Sequence, residues 1–316
     1  MRVLSSPEAL AASVPRVVFC AGSFDGVHRG HRALLDAASA LARDRGAEVW
    51  ALTFEPHPLA VLAPDAAPPL LSPGDLRLEA LADAGADGCL LLPFSRGTAA
   101  LSPADFCARA FGPWSCAAPG RAAWVAAGPN WRFGRGRAGA LGDVPALTGG
   151  RVGVRLVPLL EDGGSPISSS RIRAAVRAGD LGEAARLLGR PFRTRDRALA
   201  GRSRGVGTRL GAPTANLLPE GGAVPPVGVY AVDVLPEGAD GAPLRAVANY
   251  GFRPTFPDAR PDRPVLEVHV LDFAGDLYGR RLDVLWLRRL RDERRFESPE
   301  ALAEQIRRDA AAARAV

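Results

Sequence analysis

The stretch that decides the first half of the fold is GSFDGVHRGH, residues Gly22–His31. It follows the apolar run Val17–Ala21, which is typical of a buried strand, and it precedes Arg32–Arg45, where leucine and alanine recur at helical spacing. A helix N-terminus that is reached through a glycine-rich turn presents backbone N–H groups and a positive dipole to an anion. The sequence therefore predicts a strand, a phosphate-binding turn and a helix in this order.

Two histidines in this stretch can act on phosphate. His28 and His31 are three residues apart, and their imidazole N–H groups can donate hydrogen bonds to phosphate oxygens and stabilise the charge of a departing pyrophosphate. We expect a triphosphate site formed by Gly22, Phe24, Asp25, Gly26, His28 and His31. The alternative is an ordinary strand–turn–helix corner in which the histidines are incidental.

Strands and helices alternate through residues 15–190. Further strands are predicted at Val49–Thr53, Gly88–Leu92, Ala123–Ala127 and Val152–Val157, and further helices at Asp75–Ala84, Pro103–Phe111 and after Ser168–Ser170. This alternation predicts βαβ units and a parallel sheet, whose ligands lie beyond the carboxyl ends of the strands.

A second histidine motif, TFEPHP at Thr53–Pro58, follows the next predicted strand. We expect His57 to face the same crevice as the first motif, although a turn residue that caps its own backbone is the alternative. Zinc binding by the three histidines together with Cys20 is disfavoured, because Cys20 lies inside an apolar strand and no ligand spacing supports it.

A third motif, ISSSRIR at Ile167–Arg173, opens a predicted helix. Its hydroxyls, backbone amides and arginines suit an anion, and the Arg173 guanidinium suits a forked contact with phosphate. The expected phosphate-binding residues are Ser168, Ser169, Ser170 and Arg173. An ordinary serine helix cap is the alternative for this segment taken alone.

The pattern changes near residue 190. Short β-rich runs at Gly228–Leu235, Arg245–Asn249, Val265–Asp272 and Arg281–Leu287 are separated by Gly, Pro and Asp turns, which predicts an antiparallel barrel or sandwich. The segment Ser298–Ala313 is a predicted closing helix, with Ser298 as its N-cap and Pro299 at its first position.

Composition excludes several classes of protein. The 316-residue chain has no lysine, so all 40 basic residues are arginines, and a GxxxxGK[ST] phosphate loop or a pyridoxal Schiff base is impossible. The net charge of +6 has no dense run that would indicate nucleic acid. No apolar run reaches membrane-spanning length, the start lacks the apolar centre of a secretion signal, and the four cysteines form no CxxC pair. The expected location is the cytoplasm.

The motifs together resemble those of the bacterial bifunctional riboflavin kinase/FAD synthetases. The first half carries GSFDGVHRGH, TFEPHP, GPNWRFGRGRAG (Gly128–Gly139), ISSSRIR and LLGRPF, and the second half carries GAPTANL, PVGVYA, VANYGFRPTF, LEVHVLDF, LYG and LRDERRF. The resemblance covers nearly the whole chain. It implies a Rossmann-like HxGH nucleotidyltransferase domain at residues 1–186 and an antiparallel β-barrel riboflavin kinase domain with a C-terminal helix at residues 187–316.

The resemblance also implies two reactions and the residues that carry them. The second domain phosphorylates riboflavin to FMN with ATP, giving ADP, and the first adenylylates FMN to FAD, releasing pyrophosphate. Both reactions require Mg²⁺, with no nucleic acid or membrane as partner. The implied kinase residues are Gly207, Gly211, Thr214 and Asn216 for Mg-ATP, Glu267 as the base, and Arg291, Glu293 and Phe296 in a loop over the flavin. The flavin side of the adenylyltransferase is expected at His57, Asn130, Trp131 and Phe133.

The residues themselves give partial support to these kinase roles. Glu267 lies in a run where apolar and polar residues alternate, so a strand can turn its carboxylate to a cleft and let it accept a hydroxyl proton. Thr214 and Asn216 offer oxygens that suit Mg²⁺, although PTAN alone resembles a turn.

Other functions remain open from the sequence. Thr208 and Ala212 stand where the family usually has arginine and phenylalanine, so one alternative is an FMN adenylyltransferase with an impaired or inactive kinase domain. A nucleotidyltransferase with a different acceptor and a non-catalytic flavin-binding regulator are the others.

Overall fold

The computed structural model describes residues 1–116, 119–198, 214–217, 219, 222–237, 241–252, 264–273, 275, 277 and 279–316. The chain divides into two compact units. The first contains Met1–Pro69 and Pro73–Ser168, and the second contains Leu70–Ser72 and Ser169–Val316. Among the helices of the described residues, none combines the length and the apolar character needed to cross a membrane.

The first unit is built on a six-stranded parallel sheet with the strand order β1-β4-β3-β2-β5-β8. Its strands are β1 Arg2–Leu4, β2 Arg16–Ala21, β3 Glu48–Glu55, β4 Gly88–Pro93, β5 Ala122–Ala127 and β8 Val152–Leu156. Two small antiparallel pairs are β6 Arg132–Phe133 with β7 Gly139–Ala140, and β9 Glu161–Asp162 with β10 Ser165–Pro166. The helices are α1 Pro7–Ser13, α2 Arg29–Arg45, α3 Pro58–Leu62, α4 Asp75–Asp83, α5 Arg96–Ala100, α6 Pro103–Ser115 and α7 Val144–Leu147.

Both faces of this sheet are covered, as its apolar strands require. Side chains alternate along β2, so Phe19 packs with Phe111 and Trp114 of α6, while Val18 belongs to a second cluster with Leu35 of α2. The predicted α/β architecture with a parallel sheet is confirmed.

The second unit is built on a six-stranded antiparallel sheet with the strand order β11-β16-β13-β14-β15-β12. Its elements are α8 Ser169–Ala178, α9 Leu181–Leu188, β11 Phe192–Arg197, β12 Thr214–Leu217, β13 Gly228–Pro236, β14 Leu244–Gly251, β15 Val265–Val270, β16 Arg281–Arg291 and α10 Pro299–Arg314. An antiparallel bridge from Ala198 to Leu217 joins the two edge strands, so the sheet curls into a barrel.

The interior of this barrel is centred on Trp286. Its ring meets Tyr230 edge to face with centroids 5.0 Å apart, and its indole N–H donates to the Thr194 hydroxyl at 3.1 Å. The closing helix α10 begins as predicted, because the Ser298 hydroxyl accepts a hydrogen bond from the Ala301 N–H at 3.2 Å. The prediction of an antiparallel β unit with a C-terminal helix is confirmed.

Several element boundaries differ from those predicted. Helix α2 begins at Arg29 and not at Arg32, because His28 acts as its N-cap. The PTAN segment forms β12, although alone it resembles a turn, because cross-strand pairing with β15 holds it extended. Helices α8 and α9 belong to the second compact unit. The boundary of the functional domains at residue 186 remains a prediction.

Candidate active sites

The turn between β2 and α2 has an unusual backbone. Gly26 has φ of 86°, and the non-glycine residues Phe24 and Val27 also have positive φ, at 53° and 37°. L-residues rarely adopt this conformation, which must be held by the surrounding structure. Both side chains are fully buried, so their packing fixes the turn that leads to the histidines.

The two histidines of this turn are in direct contact. The backbone N–H of His31 donates to Nδ1 of the buried His28 at 3.3 Å, and the two rings stack with centroids 3.7 Å apart and planes 16° apart. Because Nδ1 of His28 accepts, the neutral ring carries its proton on Nε2, and Nε2 is the nitrogen suited to donate to a phosphate oxygen. The structure therefore brings His28 and His31 together, and their contact with phosphate stays a prediction.

Gly30 makes room for this pair. A Cβ at Gly30 would lie 3.2 Å from Cε1 and Nδ1 of His28 and 3.5 Å from the carbonyl oxygen of Ile167. A side chain here would push the His28 ring out of its cap position, so the glycine between the histidines has a steric role.

The neighbouring strand β3 supports the same turn. The Thr53 hydroxyl donates to the carbonyl of Ser23 at 3.2 Å, and the Gly22 N–H donates to the carbonyl of Leu52 at 3.2 Å. Asp25 is almost fully buried in this turn. The loops after β2 and β3 therefore meet at one edge of the sheet.

His57 lies in the loop after β3 and caps a short helix. Its Nδ1 accepts a hydrogen bond from the Leu59 N–H at 3.3 Å, at the start of α3. This is the capping arrangement that was the alternative for His57, and it leaves Nε2 as the donor of the neutral ring.

Arg77 is a residue of this region that none of the sequence motifs indicates. Its side chain is buried, its Nη1 donates to the carbonyl of Phe54 at 3.3 Å, and its guanidinium forms an ion pair with Glu55. These contacts hold the carboxyl end of β3 just before His57. An arginine on the apolar face of α4, beside Leu76 and Leu81, was the signal that could have revealed it.

The residues expected on the flavin side of the first unit differ in exposure. Asn130 is exposed and Trp131 is half-buried, whereas Phe133 is buried in the core between Trp131 and Phe106, with ring centroids 4.8 Å and 5.1 Å away. Asn130, Trp131 and the half-buried His57 therefore keep accessible surface, whereas Phe133 does not.

The ISSSRIR segment spans the division between the two units. Ser168 ends the first unit, while Ser169, exposed Ser170 and half-buried Arg173 open α8 in the second. Arg171 forms an ion pair with Glu183 at 2.7 Å. The predicted contribution of Ser168, Ser169, Ser170 and Arg173 to the triphosphate site stays a prediction.

In the second unit, one row of directly paired residues crosses five strands. Asn216 of β12 pairs with Glu267 of β15, Glu267 pairs with Asn249 of β14, Asn249 pairs with Val229 of β13, and Val229 pairs with Arg291 of β16. Directly opposite residues in antiparallel strands point to the same face. Three residues predicted from separate motifs therefore lie in one line.

Asn216 has an unusual environment for an amide side chain. The residue is buried, and its Oδ1 has no hydrogen-bond partner among the described residues. A buried amide oxygen without a donor is costly, and an oxygen of this kind is a ligand that Mg²⁺ accepts. Asn216 thus fits the predicted metal. Thr214 lies at the start of β12 opposite His269, and Gly207 and Gly211 lie outside the described residues.

The residues expected in the flavin loop have distinct positions. Arg291 ends β16, and its guanidinium binds both carboxylate oxygens of Asp309 in α10, with the shortest contact at 2.7 Å. Glu293 is exposed and accepts from the Asn249 amide at 3.3 Å. The Phe296 ring faces the Arg291 guanidinium at 5.7 Å. Arg291 therefore ties the last strand to the C-terminal helix.

Both units match known families. Residues 11–171 match the FAD synthetase family, and residues 188–316 match the riboflavin kinase family. A solved structure of a protein named a macrolide-efflux protein, from Streptococcus pneumoniae, is similar over 99% of this chain and 98% of its own, with 30% identity and a TM-score of 0.82. The matches to the two families define a transferase with two active units, one that adenylylates and one that phosphorylates.

Curated relatives carry both families in one chain. The bifunctional riboflavin kinase/FMN adenylyltransferase of Escherichia coli K12 is 39% identical over 301 residues, which cover 94% of this chain and 91% of the relative. The enzymes of the same name from Pseudomonas fluorescens and Bacillus subtilis are 39% and 33% identical, covering 93% and 92% of this chain and 91% and 90% of theirs. The chain belongs to the family of bifunctional riboflavin kinase/FMN adenylyltransferases. The matches across residues 11–171 and 188–316, together with these relatives, support both activities and give no support to the alternative of an inactive kinase domain.

Proposed function

We propose that the two activities of this chain are carried by two separate sets of residues. The set around Glu267 in the second unit phosphorylates riboflavin, and the set around His28 and His31 in the first unit adenylylates FMN. The observation that carries the proposal is the direct pairing of Glu267 with Asn216, which puts a carboxylate beside a buried amide oxygen suited to a metal.

In the kinase reaction, the 5′-oxygen of riboflavin forms a bond to the γ-phosphorus of ATP, and the bond from that phosphorus to the bridging oxygen of ADP breaks. Glu267 accepts the proton of the 5′-hydroxyl, a role that contributes about 10²- to 10⁴-fold in rate. Asn216 and Thr214 are the residues that would hold Mg²⁺. Bound Mg²⁺ would neutralise charge that develops on the β- and γ-phosphates.

Two further predicted kinase residues act at the edge of this set. Glu293 and Phe296 lie in the segment after β16, and Arg291 fixes the start of that segment through Asp309. We expect Arg291 to act as a positioning residue for the flavin loop, since its guanidinium is engaged by a buried carboxylate.

In the adenylyltransferase reaction, a phosphate oxygen of FMN forms a bond to the α-phosphorus of ATP, and the bond to the β-phosphate oxygen breaks to release pyrophosphate. His28 and His31 donate hydrogen bonds to the triphosphate and offset charge on the leaving group. The helix α2 adds the positive end of its dipole. Asn130 and Trp131 contact the flavin.

The test is a product analysis of paired variants incubated with ATP and Mg²⁺. With riboflavin as substrate, Glu267→Gln is expected to lose FMN formation, whereas with FMN supplied it still forms FAD. His28→Ala is expected to convert riboflavin to FMN and to stop there. Equal loss of both activities in either variant would contradict separate sites.

The family also indicates the substrates and the setting. Riboflavin, FMN, ATP and FAD are the small molecules of the two reactions, with ADP and pyrophosphate as the remaining products. The cytoplasm stays the predicted location, and it is supported by four cysteines that are all free thiols.

A further inference from the structure

Asn249 is a residue to which neither the sequence motifs nor the family matches give a role. It lies directly opposite Glu267 in the neighbouring strand β14, whereas Asn216 lies opposite Glu267 in β12, the strand on the other side of β15. Glu267 therefore has an amide neighbour on each side in the same row. All three side chains leave the same face of the sheet, since they are direct cross-strand partners.

The hydrogen bonds of Asn249 determine which way its amide points. Its Nδ2 donates to Oε1 of Glu293 at 3.3 Å, and a carboxylate can only accept, so the remaining atom is the oxygen. This Oδ1 is buried and has no hydrogen-bond partner in the described part of the chain. A buried acceptor of this kind is satisfied when a ligand brings a donor.

The position of the Asn249 amide indicates which ligand would donate to its Oδ1. The proposed nucleotide site lies over β12, on the Asn216 side of Glu267. The acceptor alcohol must reach the same carboxylate, and β14 is the strand on the other side. Gly251, two residues beyond Asn249 on the same face, has no side chain, and a Cβ there would overlap the Glu293 carboxylate. The surface beside Glu267 on β14 thus consists of the Asn249 amide and Gly251, and the carboxylate of Glu293, from the segment after β16, lies against both.

We propose that Asn249 is the residue that recognises the polyol chain of the acceptor. Its Oδ1 accepts a hydrogen bond from the 4′-hydroxyl of riboflavin, while Glu267 accepts from the neighbouring 5′-hydroxyl. Cβ atoms of direct cross-strand neighbours are about 5 Å apart, so their tips can reach adjacent hydroxyls of one chain. This inference rests on the proposed role of Glu267 as the base.

As a consequence, the kinase site prefers acceptors that carry a secondary hydroxyl next to the hydroxyl that is phosphorylated. An acceptor without the 4′-hydroxyl leaves the Asn249 oxygen buried without a donor. A missing partner of this kind lowers kcat/KM by about 10- to 100-fold. The kinase therefore distinguishes a polyol from a simple primary alcohol through one amide oxygen.

The test compares two substrates in two full-length proteins. Phosphorylation of riboflavin and of 4′-deoxyriboflavin is measured for the unchanged chain and for Asn249→Ala. The unchanged chain is expected to prefer riboflavin by about 10- to 100-fold, and Asn249→Ala is expected to prefer it by less than about twofold. A preference in Asn249→Ala that equals that of the unchanged chain overturns the proposal.

Two controls keep the outcome specific to the 4′-hydroxyl. The preference for riboflavin over 3′-deoxyriboflavin is expected to be the same in both proteins. Turnover of riboflavin by each preparation reports that the kinase unit is folded. Asn249→Ser, whose shorter side chain does not reach the hydroxyl, repeats the measurement if the alanine variant is unstable.

The outcomes also distinguish a failure of the proposed role of Asn249 from a failure of the proposed role of Glu267. If Glu267→Gln still phosphorylates riboflavin at the unchanged rate, the proposed base is wrong and the inference fails with it. If Glu267→Gln is inactive while Asn249→Ala keeps the full preference, the base stands and Asn249 does not bind the 4′-hydroxyl.

Discussion

The backbone N–H of His31 donates a hydrogen bond to Nδ1 of His28, so His28 caps helix α2 through Nδ1, and Nε2 is the nitrogen that carries the proton of the neutral ring. The two rings stack with centroids 3.7 Å apart. The same side chain therefore stabilises the fold and serves the proposed adenylyl transfer, and these two contributions can be separated by substitution.

His28→Ala removes both the cap and the imidazole. We expect it to lower the free energy of unfolding by about 1 kcal/mol and to abolish FAD formation. His28→Asn keeps an acceptor for the His31 N–H, because asparagine is among the preferred N-cap residues. It is expected to restore the stability without the activity, which denaturant titration and product chromatography measure. Full FAD formation by His28→Asn would mean that the cap is the whole role of His28.

Gly30→Ala tests the space beside the histidines. The added Cβ would lie 3.2 Å from the His28 ring, so the ring must shift by a few tenths of an ångström. We expect FAD formation to fall by about tenfold or more, because small displacements of catalytic groups are costly. Gly112→Ala in α6 is the matched control, since a Cβ there meets no atom within 4 Å. Equal activity of the two variants would contradict the steric role of Gly30.

Asp309→Ala tests the tie between β16 and the C-terminal helix. Asp309 is buried and receives both the Nε and Nη2 donors of Arg291, so its loss leaves a partly buried guanidinium without its carboxylate. We expect the free energy of unfolding to fall by about 2 kcal/mol, as measured by urea titration with circular dichroism.

The matched control for this substitution is Glu304→Ala in the same helix. The Glu304 carboxylate is exposed and pairs with Arg307 and Arg308 at the surface. Solvent screening makes such pairs weak, so this variant is expected to keep the stability of the unchanged chain. A larger loss for Glu304→Ala than for Asp309→Ala would refute the proposed tie.

The cysteines are expected to differ in reactivity. Burial raises the pKa of Cys20 and raises the pKa of Cys89 and Cys107 to about 12, while Cys116 is exposed. The thiolate is the reactive form, and a raised pKa keeps these three thiols protonated at pH 8. A chromogenic disulfide reagent at pH 8 is therefore expected to titrate one thiol rapidly in the native chain and four in denaturant. Rapid reaction of more than one native thiol would contradict the buried positions.

The first unit was predictable because its signals are local. The apolar strand, the glycine-rich turn and the helical spacing lie within one short stretch, and the structure has β2, the turn and α2 in that order. The start of α2 was placed three residues too late, at Arg32, because the cap is a histidine and not one of the usual serine, threonine, asparagine or aspartate residues.

The row of residues in the second unit was not predictable in the same way. Alternation along β15 indicates that Glu267 faces away from the core, but the register that brings Asn216 and Asn249 to its two sides depends on contacts between distant segments. No motif indicated Arg77 for a related reason, since it lies in helix α4 and its partners Phe54 and Glu55 come from the distant strand β3.

The tryptophans are divided unequally between the units, and this gives the chain a built-in optical probe. Trp50, Trp114, Trp124 and Trp131 belong to the first unit, and Trp286, at the centre of the barrel, is the one tryptophan of the second. Replacing the first four by phenylalanine would leave emission from Trp286 alone. Its emission would follow the melting of the barrel, and quenching of it by an added flavin would follow occupancy of the kinase.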